Sequence, residues 1–348
     1  MTRCEASFRT LIVVPALNEA DGIEAVIEAL LAGAPTDTRL VVADGGSTDG
    51  TRDLVRRYSA ANPAVSLIGN DARIQSAGIN EAVRLCSGDA SYLLRADAHA
   101  IYPENFCRIL LNEIEDTGAA SVAVAMRTIG GGGFSTGVAA AQNSVLGTGG
   151  SAHRTGSGIG RFVDHGHHAL MRLDAFRGIG GYDPAQSHNE DAEFDHRLRQ
   201  AGGNIWLSGR TGLDYVPRGT PGALFRQYRA YGRGRAITIL KHRMRPRLRQ
   251  LAPLIVAPAI VLGALGAAML PLGASWLWLG LPAGVWAAVC LSYGIIIACR
   301  ARDPAVAWAG PAAMLMHLGW SLGFLGRIVH HLFGRVLGRD GQKARNER

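Results

Sequence analysis

Charge is missing from a long part of this chain of 348 residues. Residues 250–299 contain no Lys, Arg, Asp or Glu, and no acidic residue occurs between Asp214 and Asp303. Such a run far exceeds the about 20 residues that one membrane-spanning helix needs, and apolar runs in soluble cores are shorter. An ordinary soluble enzyme is therefore excluded. The apolar fraction of 48% also excludes a disordered chain.

Cysteine is also scarce. The chain has five cysteines and none of them forms a CxxC pair: Cys4, Cys86, Cys107, Cys290 and Cys299. This usage predicts neither a disulfide scaffold nor a zinc site, and it suits a reducing cytoplasmic setting.

Three apolar runs follow one another in the C-terminal part, at residues 251–270, 276–299 and 304–326. They predict two to three transmembrane helices within residues 251–326. Trp276, Trp278 and Trp308 stand near the ends of these runs, as is typical of residues at a membrane interface. The chain is therefore expected to be a multi-pass membrane protein.

The basic residues predict the orientation. Ten Lys and Arg residues and no acid lie between Arg218 and Arg249, which places residues 1–249 in the cytoplasm, next to the cytoplasmic (inner) membrane. Six basic residues follow the third run, although three crossings would place them outside. Either the run 304–326 is re-entrant or interfacial, or the rule is violated. The sequence leaves both open, and it predicts a basic linker at 241–250 and a basic amphipathic or flexible tail at 327–348.

Residues 1–240 predict one α/β domain. Short runs rich in β-branched residues at 10–14, 40–43, 65–68 and 91–94 alternate with helical periodicity at 21–32, 51–60 and 74–85. This alternation predicts a mostly parallel sheet covered by helices. Ligands bind outside the carboxyl ends of such strands, so residues 15–19, 44–49 and 97–99 should converge there.

Two acidic motifs are candidates for chemistry. Asp97-Ala98-His99 follows a predicted strand, and side chains two apart on an extended chain point to the same side, so Asp97 and His99 could hold one cation. Asn189-Glu190-Asp191 precedes a predicted helix at 192–201. Asp191 is either a reactive carboxylate or an ordinary acid of a first helical turn.

Three further segments have less specific signals. The glycine-rich residues 128–160 predict either a long flexible loop or an ordered loop that lines the acceptor site or closes over the donor. His165-Gly166-His167-His168 lacks the carboxylate pattern of a metalloprotease, and we do not expect it to take part in the chemistry. The Arg and Tyr residues of 226–235 suit a pyrophosphate or a membrane surface, and the adjacent apolar runs argue against nucleic acid.

In this order the motifs resemble those of a family 2 glycosyltransferase with the GT-A fold. The residues that carry the resemblance are Val14-Pro15-Ala16-Leu17-Asn18-Glu19, Asp44-Gly45-Gly46-Ser47-Thr48-Asp49-Gly50-Thr51, Asp97-Ala98-His99 and Asn189-Glu190-Asp191. More narrowly, Arg95–Ala100 with Tyr102-Pro103, the loop 147–151 and Tyr231-Gly232-Arg233-Gly234-Arg235 resemble the ExoA-like glucosyltransferases of succinoglycan biosynthesis.

The resemblance implies roles for individual residues. Asp191 would be the catalytic base, and Asp97 with His99 would hold Mg or Mn against the diphosphate of the donor. The other residues expected to bind the nucleotide sugar or a lipid-diphosphate acceptor are Pro15, Asn18, Glu19, Asp44, Arg229 and Arg233. The DxD motif common in the family reads Asp-x-His here, which leaves the metal preference open.

The implied activity is an inverting transfer of a hexose from a UDP-sugar to a polyprenyl-diphosphate-linked saccharide in exopolysaccharide synthesis. The QxxRW motif of processive synthases is absent, since Gln227 is followed by Tyr228-Arg229-Ala230-Tyr231, which argues against a polymerising enzyme. Two alternatives stay open: a catalytically degenerate membrane assembly subunit of a polysaccharide pathway, and a transferase acting on another lipid acceptor.

Overall fold

The computed structural model describes residues 8–151, 154 and 158–336. The chain forms two compact units. The first consists of Met1–Thr128 and Ser151–Val216, and the second of Ile129–Gly150 and Pro217–Arg348.

Nine strands of the first unit form one mixed sheet, in the order β3-β2-β1-β4-β8-β6-β9-β5, with β7 also paired to β9. The strands β1 to β4 pair in parallel, as do β6 and β9, while β5, β7 and β8 run antiparallel to their neighbours. The predicted α/β fold is therefore confirmed. The strands are β1 (Thr10–Ala16), β2 (Thr38–Asp44), β3 (Val65–Gly69), β4 (Tyr92–Arg95), β5 (Ala100–Ile101), β6 (Ser121–Thr128), β7 (Arg161–Val163), β8 (His167–Arg172) and β9 (Ile205–Tyr215).

The described helices are α1 (Ile23–Leu31), α2 (Thr51–Ala61), α3 (Gln75–Cys86), α4 (Phe106–Thr117), α5 (Gly133–Gln142), α6 (Val145–Thr148), α7 (Leu173–Gly178), α8 (Glu190–Gln200), α9 (Pro221–His242), α10 (Leu248–Leu251), α11 (Val256–Ala268), α12 (Leu281–Ala301) and α13 (Ala309–Val336). Six of these helices belong to the first unit: α1 to α4, α7 and α8.

Alternation along β1 separates two apolar layers of the first unit. Ile12 and Val14 pack with residues of α1, α2 and α4, whereas Leu11 and Val13 pack with residues of α3, α7 and α8. Successive side chains of a strand point to opposite faces, so a strand buried on both sides is apolar throughout. The sheet is thereby packed between two layers of helices, and loops follow the ends of its strands.

The glycine-rich segment is not the long flexible loop that one interpretation of the sequence predicted. Within it, α5 and α6 are helical, and Val138 and Ala141 are buried against Ala312 and Met316 of α13. Gly137 is required because a Cβ there would overlap Trp308. The glycines permit close helix packing here. Residues 152, 153 and 155–157 of the segment lie outside the described residues.

In the second unit, α9 packs against α13 along most of its length. Leu224 near the start of α9 belongs to the same cluster as Met316, and Ile239 near its end packs on Phe324. The backbones approach so closely that a Cβ at Gly323 would overlap the carbonyl oxygen of Arg229. The sequence placed residues up to 240 in the first domain, but this packing groups α9 with the second unit.

Three helical segments of the described chain are long and apolar enough to cross a membrane: Leu248–Ala268, Ala274–Ala301 and Pro304–Phe333. They correspond to the three runs predicted from the sequence. The third differs from the other two, because it has the lowest mean hydropathy, 1.3, and the largest buried share, 39%.

The contact between α9 and α13 predicts that alanine at two glycines of α13 changes the stability of the protein differently. Gly323→Ala should destabilise the protein by about 1–3 kcal/mol through overpacking against Arg229. Gly326→Ala has no heavy atom within 4 Å of the new Cβ and should be neutral or stabilising by up to about 1 kcal/mol. Thermal unfolding of the detergent-purified variants measures both. Equal unfolding midpoints for the two variants would contradict the close approach of Gly323 to Arg229.

Candidate active site

The carboxyl ends of β1, β2 and β4 surround a cavity of about 140 Å³. Four residues predicted from the sequence line it: Pro15, Glu19, Asp97 and His99. Further lining residues, which the sequence motifs did not indicate, are Asn70 and Arg73 from the segment that joins β3 to α3, and Gln75 at the start of α3. The predicted convergence of the loops at 15–19 and 97–99 is therefore observed.

Asp44 shapes the loop that follows β2. Its buried carboxylate accepts hydrogen bonds from the backbone N–H groups of Gly46 (2.9 Å) and Ser47 (3.2 Å) and lies 3.4 Å from Nη1 of Arg52. Gly46 has a φ of 89°, a conformation that glycine adopts without strain. Asp44 thus holds the turn that presents Gly45 to the cavity.

Asn18 joins the loop after β1 to the loop after β2. Its Oδ1 accepts a hydrogen bond from the N–H of Thr48, and its own N–H donates to Oγ of Ser47, both at 2.8 Å. The next N–H, of Glu19, donates to Oγ1 of Thr51 at 2.9 Å. These bonds satisfy backbone groups that would otherwise need water, so the two loops are held as one wall.

Arg95, at the end of β4, is the centre of the acidic cluster. Its side chain is only 3% exposed, and its guanidinium lies 3.4 Å from both Asp97 and Glu190 and is hydrogen-bonded to Asp191. The hydroxyl of Tyr182 also donates to Oδ1 of Asp191, at 3.1 Å. One buried cation therefore contacts carboxylates from the loop after β4 and from the start of α8.

These contacts determine the charge states. Burial alone would raise the pKa of Asp97, but Arg95 and His167 hold it well below its usual range. Burial would likewise lower the pKa of Arg95, and the charge of Asp191 and then Asp97 keeps it well above its usual range. Burial and the neighbouring charge of Asp191 raise the pKa of Glu190 to about 7.

His167 connects the two acidic motifs. Its Nε2 lies 3.2 Å from Oδ2 of Asp97, and its Nδ1 lies 3.6 Å from Oδ2 of Asp191. We did not expect the His165–His168 segment to take part in the chemistry, yet the structure places His167 of this segment beside Asp97 and Asp191. No sequence motif pointed to His167, because β8 pairs with β4 across a large separation in the chain.

His99 lies on the wall of the same cavity, where its Nδ1 is 3.2 Å from Oε1 of Glu19. The ring is 40% exposed and stands edge-on to Tyr215. Asp97 accepts a hydrogen bond from Nε2 of Gln75 at 2.7 Å. Within the described part of the chain, no group of three or more His, Cys, Asp or Glu side chains forms a closed metal cage.

Arg229 and Arg233, the remaining predicted site residues, lie on α9 in the second unit. Both are exposed, and with Arg226 they form one cationic face of that helix. The neighbouring Gln227 donates a hydrogen bond from Nε2 to the hydroxyl of Tyr231 at 3.0 Å.

Comparison with known proteins identifies the family. A family model described as glycosyl transferase family 2 matches residues 11–180. The succinoglycan biosynthesis protein ExoA of Rhizobium meliloti is 51% identical over 319 residues, which cover 91% of this chain and 94% of that protein.

A solved structure supports the fold. The mannosyltransferase PcManGT from Pyrobaculum calidifontis, in complex with GDP-Man and Mn²⁺, aligns with a TM-score of 0.56 and 19% identity, covering 92% of this chain and 88% of that one. The predicted GT-A fold is thereby confirmed. The chain belongs to glycosyl transferase family 2, as an ExoA-like glycosyltransferase.

Proposed function

We propose that this glycosyltransferase is an inverting membrane enzyme that transfers a hexose from a UDP-sugar to a polyprenyl-diphosphate-linked saccharide in exopolysaccharide synthesis. The observation that carries the proposal is the cluster of Asp97, Glu190 and Asp191 around Arg95, beside the cavity that Pro15 and Glu19 line. Likeness to ExoA, a succinoglycan biosynthesis protein, supports the exopolysaccharide context.

The nucleotide sugar is proposed to bind over the wall formed by the two joined loops. Pro15, Asn18, Glu19 and Asp44 belong to that wall, in which Asn18 and Asp44 act through the loop conformation. Arg73 adds an exposed cation at the cavity, which suits the phosphates of a nucleoside diphosphate. PcManGT, the solved relative by fold, carries a nucleotide sugar, GDP-Man.

Asp97 and His99 are proposed to hold Mg or Mn. One carboxylate and one imidazole on the wall of the same cavity suit a divalent ion whose other ligands are substrate phosphates and water. The Mn²⁺ bound to PcManGT supports this assignment. Such an ion would neutralise the negative charge that grows on the leaving diphosphate.

The two acids of α8 are proposed to have different roles. Burial beside Asp191 raises the pKa of Glu190 to about 7, so this carboxyl group holds its proton below that pH. Asp191 is hydrogen-bonded to Arg95 and Tyr182, contacts that stabilise its carboxylate, and it is the proposed proton acceptor. Environments that separate the charge states of adjacent carboxyl groups commonly mark acid and base assignments.

The proposed reaction is a direct displacement. The acceptor hydroxyl oxygen forms a bond to the anomeric carbon of the donor, while the bond from that carbon to the diphosphate oxygen breaks on the opposite face. Asp191 takes the hydroxyl proton, and the nucleoside diphosphate leaves. Because Arg95 stabilises the carboxylate, the proton moves late, when bonding to carbon has made the hydroxyl acidic.

The acceptor and the membrane side are part of the same proposal. Exposed Arg229 and Arg233 on α9 suit the diphosphate of a lipid-linked acceptor. The basic residues before the first apolar run favour a catalytic domain in the cytoplasm, at the inner membrane.

Asp191→Asn should reduce sugar transfer about 10²- to 10⁴-fold, because the general base is lost. Membranes containing the protein are given labelled UDP-glucose or UDP-galactose, and label in the extractable lipid is counted. Asp116→Asn is the matched control, since Asp116 is 69% exposed and contacts only a surface arginine, Arg210, among the ion pairs described. Transfer that survives in Asp191→Asn would contradict the proposed base. A wild-type protein that is needed for polysaccharide synthesis but transfers no sugar would favour the degenerate assembly subunit.

Chelation with EDTA should abolish transfer in the same assay, and added Mg or Mn should restore it. Asp97→Asn should raise the metal concentration needed for half-maximal rate, because it removes the charged ligand. Tyr102, whose hydroxyl bonds the backbone of Asp97, offers a matched control, since Tyr102→Phe leaves the carboxylate in place. Full activity in EDTA would contradict the metal assignment.

Glu190 predicts a pH dependence of stability. Its pKa is about 7 in the folded protein and about 4.5 when unperturbed, so between these values the folded chain holds more protons and stability falls as the pH rises. Glu190→Gln should therefore unfold at the wild-type temperature near pH 4.5 and be more stable by up to about 3 kcal/mol at pH 8. Thermal midpoints measured across this range test it, and a difference independent of pH would contradict it.

A further inference from the structure

The two most apolar helices, α11 and α12, pack as an antiparallel hairpin. A Cβ at Gly263 would lie 3.5 Å from Gly280 and 3.9 Å from Ala283. Because the two helices are antiparallel, Leu254, nine residues before Gly263, lies level with about residue 292, nine residues after Ala283. By this register Trp286 lies level with about residue 260. Residues 250–257 and 288–301 form one end of this hairpin, here called the base, and residues 269–280 form its tip.

The first half of α13 contacts the α12 side of the base. Gly310 lies against the backbones of Cys290 and Gly294. Seven residues further along α13, Nδ1 of His317 accepts a hydrogen bond from Nε1 of Trp286 at 3.2 Å.

The second half of α13 contacts the α11 side of the base. Nε1 of Trp320 donates to the carbonyl oxygen of Gln250 at 3.1 Å, and Oγ of Ser321 donates to that of Leu254 at 3.0 Å. Ile328 packs in the same apolar cluster as Leu254.

These contacts give the direction of α13. From Gly310 to Ile328 the helix advances about 27 Å along its own axis. Its partners on the hairpin first move along α12 from Gly294 and Cys290 to Trp286, and then return on the other helix to the level of Gln250 and Leu254. A helix that crossed the membrane beside the hairpin would instead continue toward the tip. α13 therefore runs across the base.

The partner of α13 on another side, α9, carries an exposed cationic face. Arg226, Arg229 and Arg233 are exposed on it and follow one another at helical spacing, and the helix packs along α13 from Leu224 to Ile239. Arginines facing hydrocarbon are strongly disfavoured, whereas arginines at the membrane surface bind phosphate headgroups. A contact that extends along most of such a helix is incompatible with α13 at the bilayer centre.

A third face of α13 is apolar and exposed. Leu322, Val329 and Phe333 are 43%, 49% and 65% exposed, and their spacing of seven and four places them on one face. One apolar face beside a basic partner is the pattern of a helix that lies in the membrane interface.

We propose that α13 does not cross the membrane but lies in its cytoplasmic interface together with α9, with the Leu322–Val329–Phe333 face toward the acyl chains and the arginines of α9 toward phospholipid headgroups. The chain then crosses the membrane twice, through the α11–α12 hairpin. This arrangement keeps the six basic residues from Arg327 onward on the same side as residues 218–249, which agrees with the positive-inside rule.

The experiment compares the sides of three tags on the full chain. One epitope with a protease site is placed before Met1, one after Arg348, and one between Leu272 and Gly273 at the hairpin tip, each in a separate version of the protein. Each version is expressed in a bacterial host, and protease is added to intact spheroplasts and to inside-out vesicles. Transfer activity in the membranes verifies that each version is folded.

The N-terminal and C-terminal tags should both be protected in spheroplasts and cleaved in inside-out vesicles, and the tip tag should show the reverse. A C-terminal tag cleaved in spheroplasts while the N-terminal tag is protected would establish three crossings and overturn the proposal. Cleavage of the C-terminal tag in both preparations would overturn it as well, because an interfacial α13 fixes one side. A tip tag on the same side as the N-terminus would show that the hairpin does not cross.

Discussion

The active-site half of the molecule depends on one buried guanidinium. Arg95 lies at the end of β4, and without its charge Asp97, Glu190 and Asp191 would repel one another in a poorly solvated space. A single cation can neutralise only one of three acids. The remaining charge is reduced by a proton on Glu190 below about pH 7, and His167 lies beside two of the carboxylates. The cluster keeps an excess of negative charge, which suits a divalent cation.

The other half depends on close helix packing at a charged boundary. Translocon measurements place the cost of one Arg or Lys at the centre of a bilayer at about 2.5–3.5 kcal/mol, so three exposed arginines of α9 would cost roughly three times as much there. The glycines of α13 let α9 approach at backbone distance, which fixes those arginines relative to the apolar helices. In the proposed arrangement, the position of α13 in the membrane follows from this pairing more directly than from hydropathy alone.

The sequence predicted the parts of the molecule that depend on local periodicity. Short patterns are enough to predict the first strands and helices and the three apolar runs. They also predict that one edge of the sheet brings together Pro15, Glu19, Asp97 and His99. It did not indicate His167, because the pairing of β8 with β4 joins residues about eighty positions apart. Glycine content alone did not distinguish the interpretations of residues 128–160, because glycines occur in flexible loops and also where helices pack closely.

The second unit is assembled from two separated pieces of chain, and this has a consequence for the order of synthesis. Val138 and Ala141 on α5 are buried by Ala312 and Met316, which leave the ribosome about 170 residues later. At 5–20 residues per second, an apolar helix is uncovered for roughly 10–30 s while the strands after it are made. During that interval the nascent chain offers the translocation machinery or a chaperone a hydrophobic target well before the first membrane helix is made.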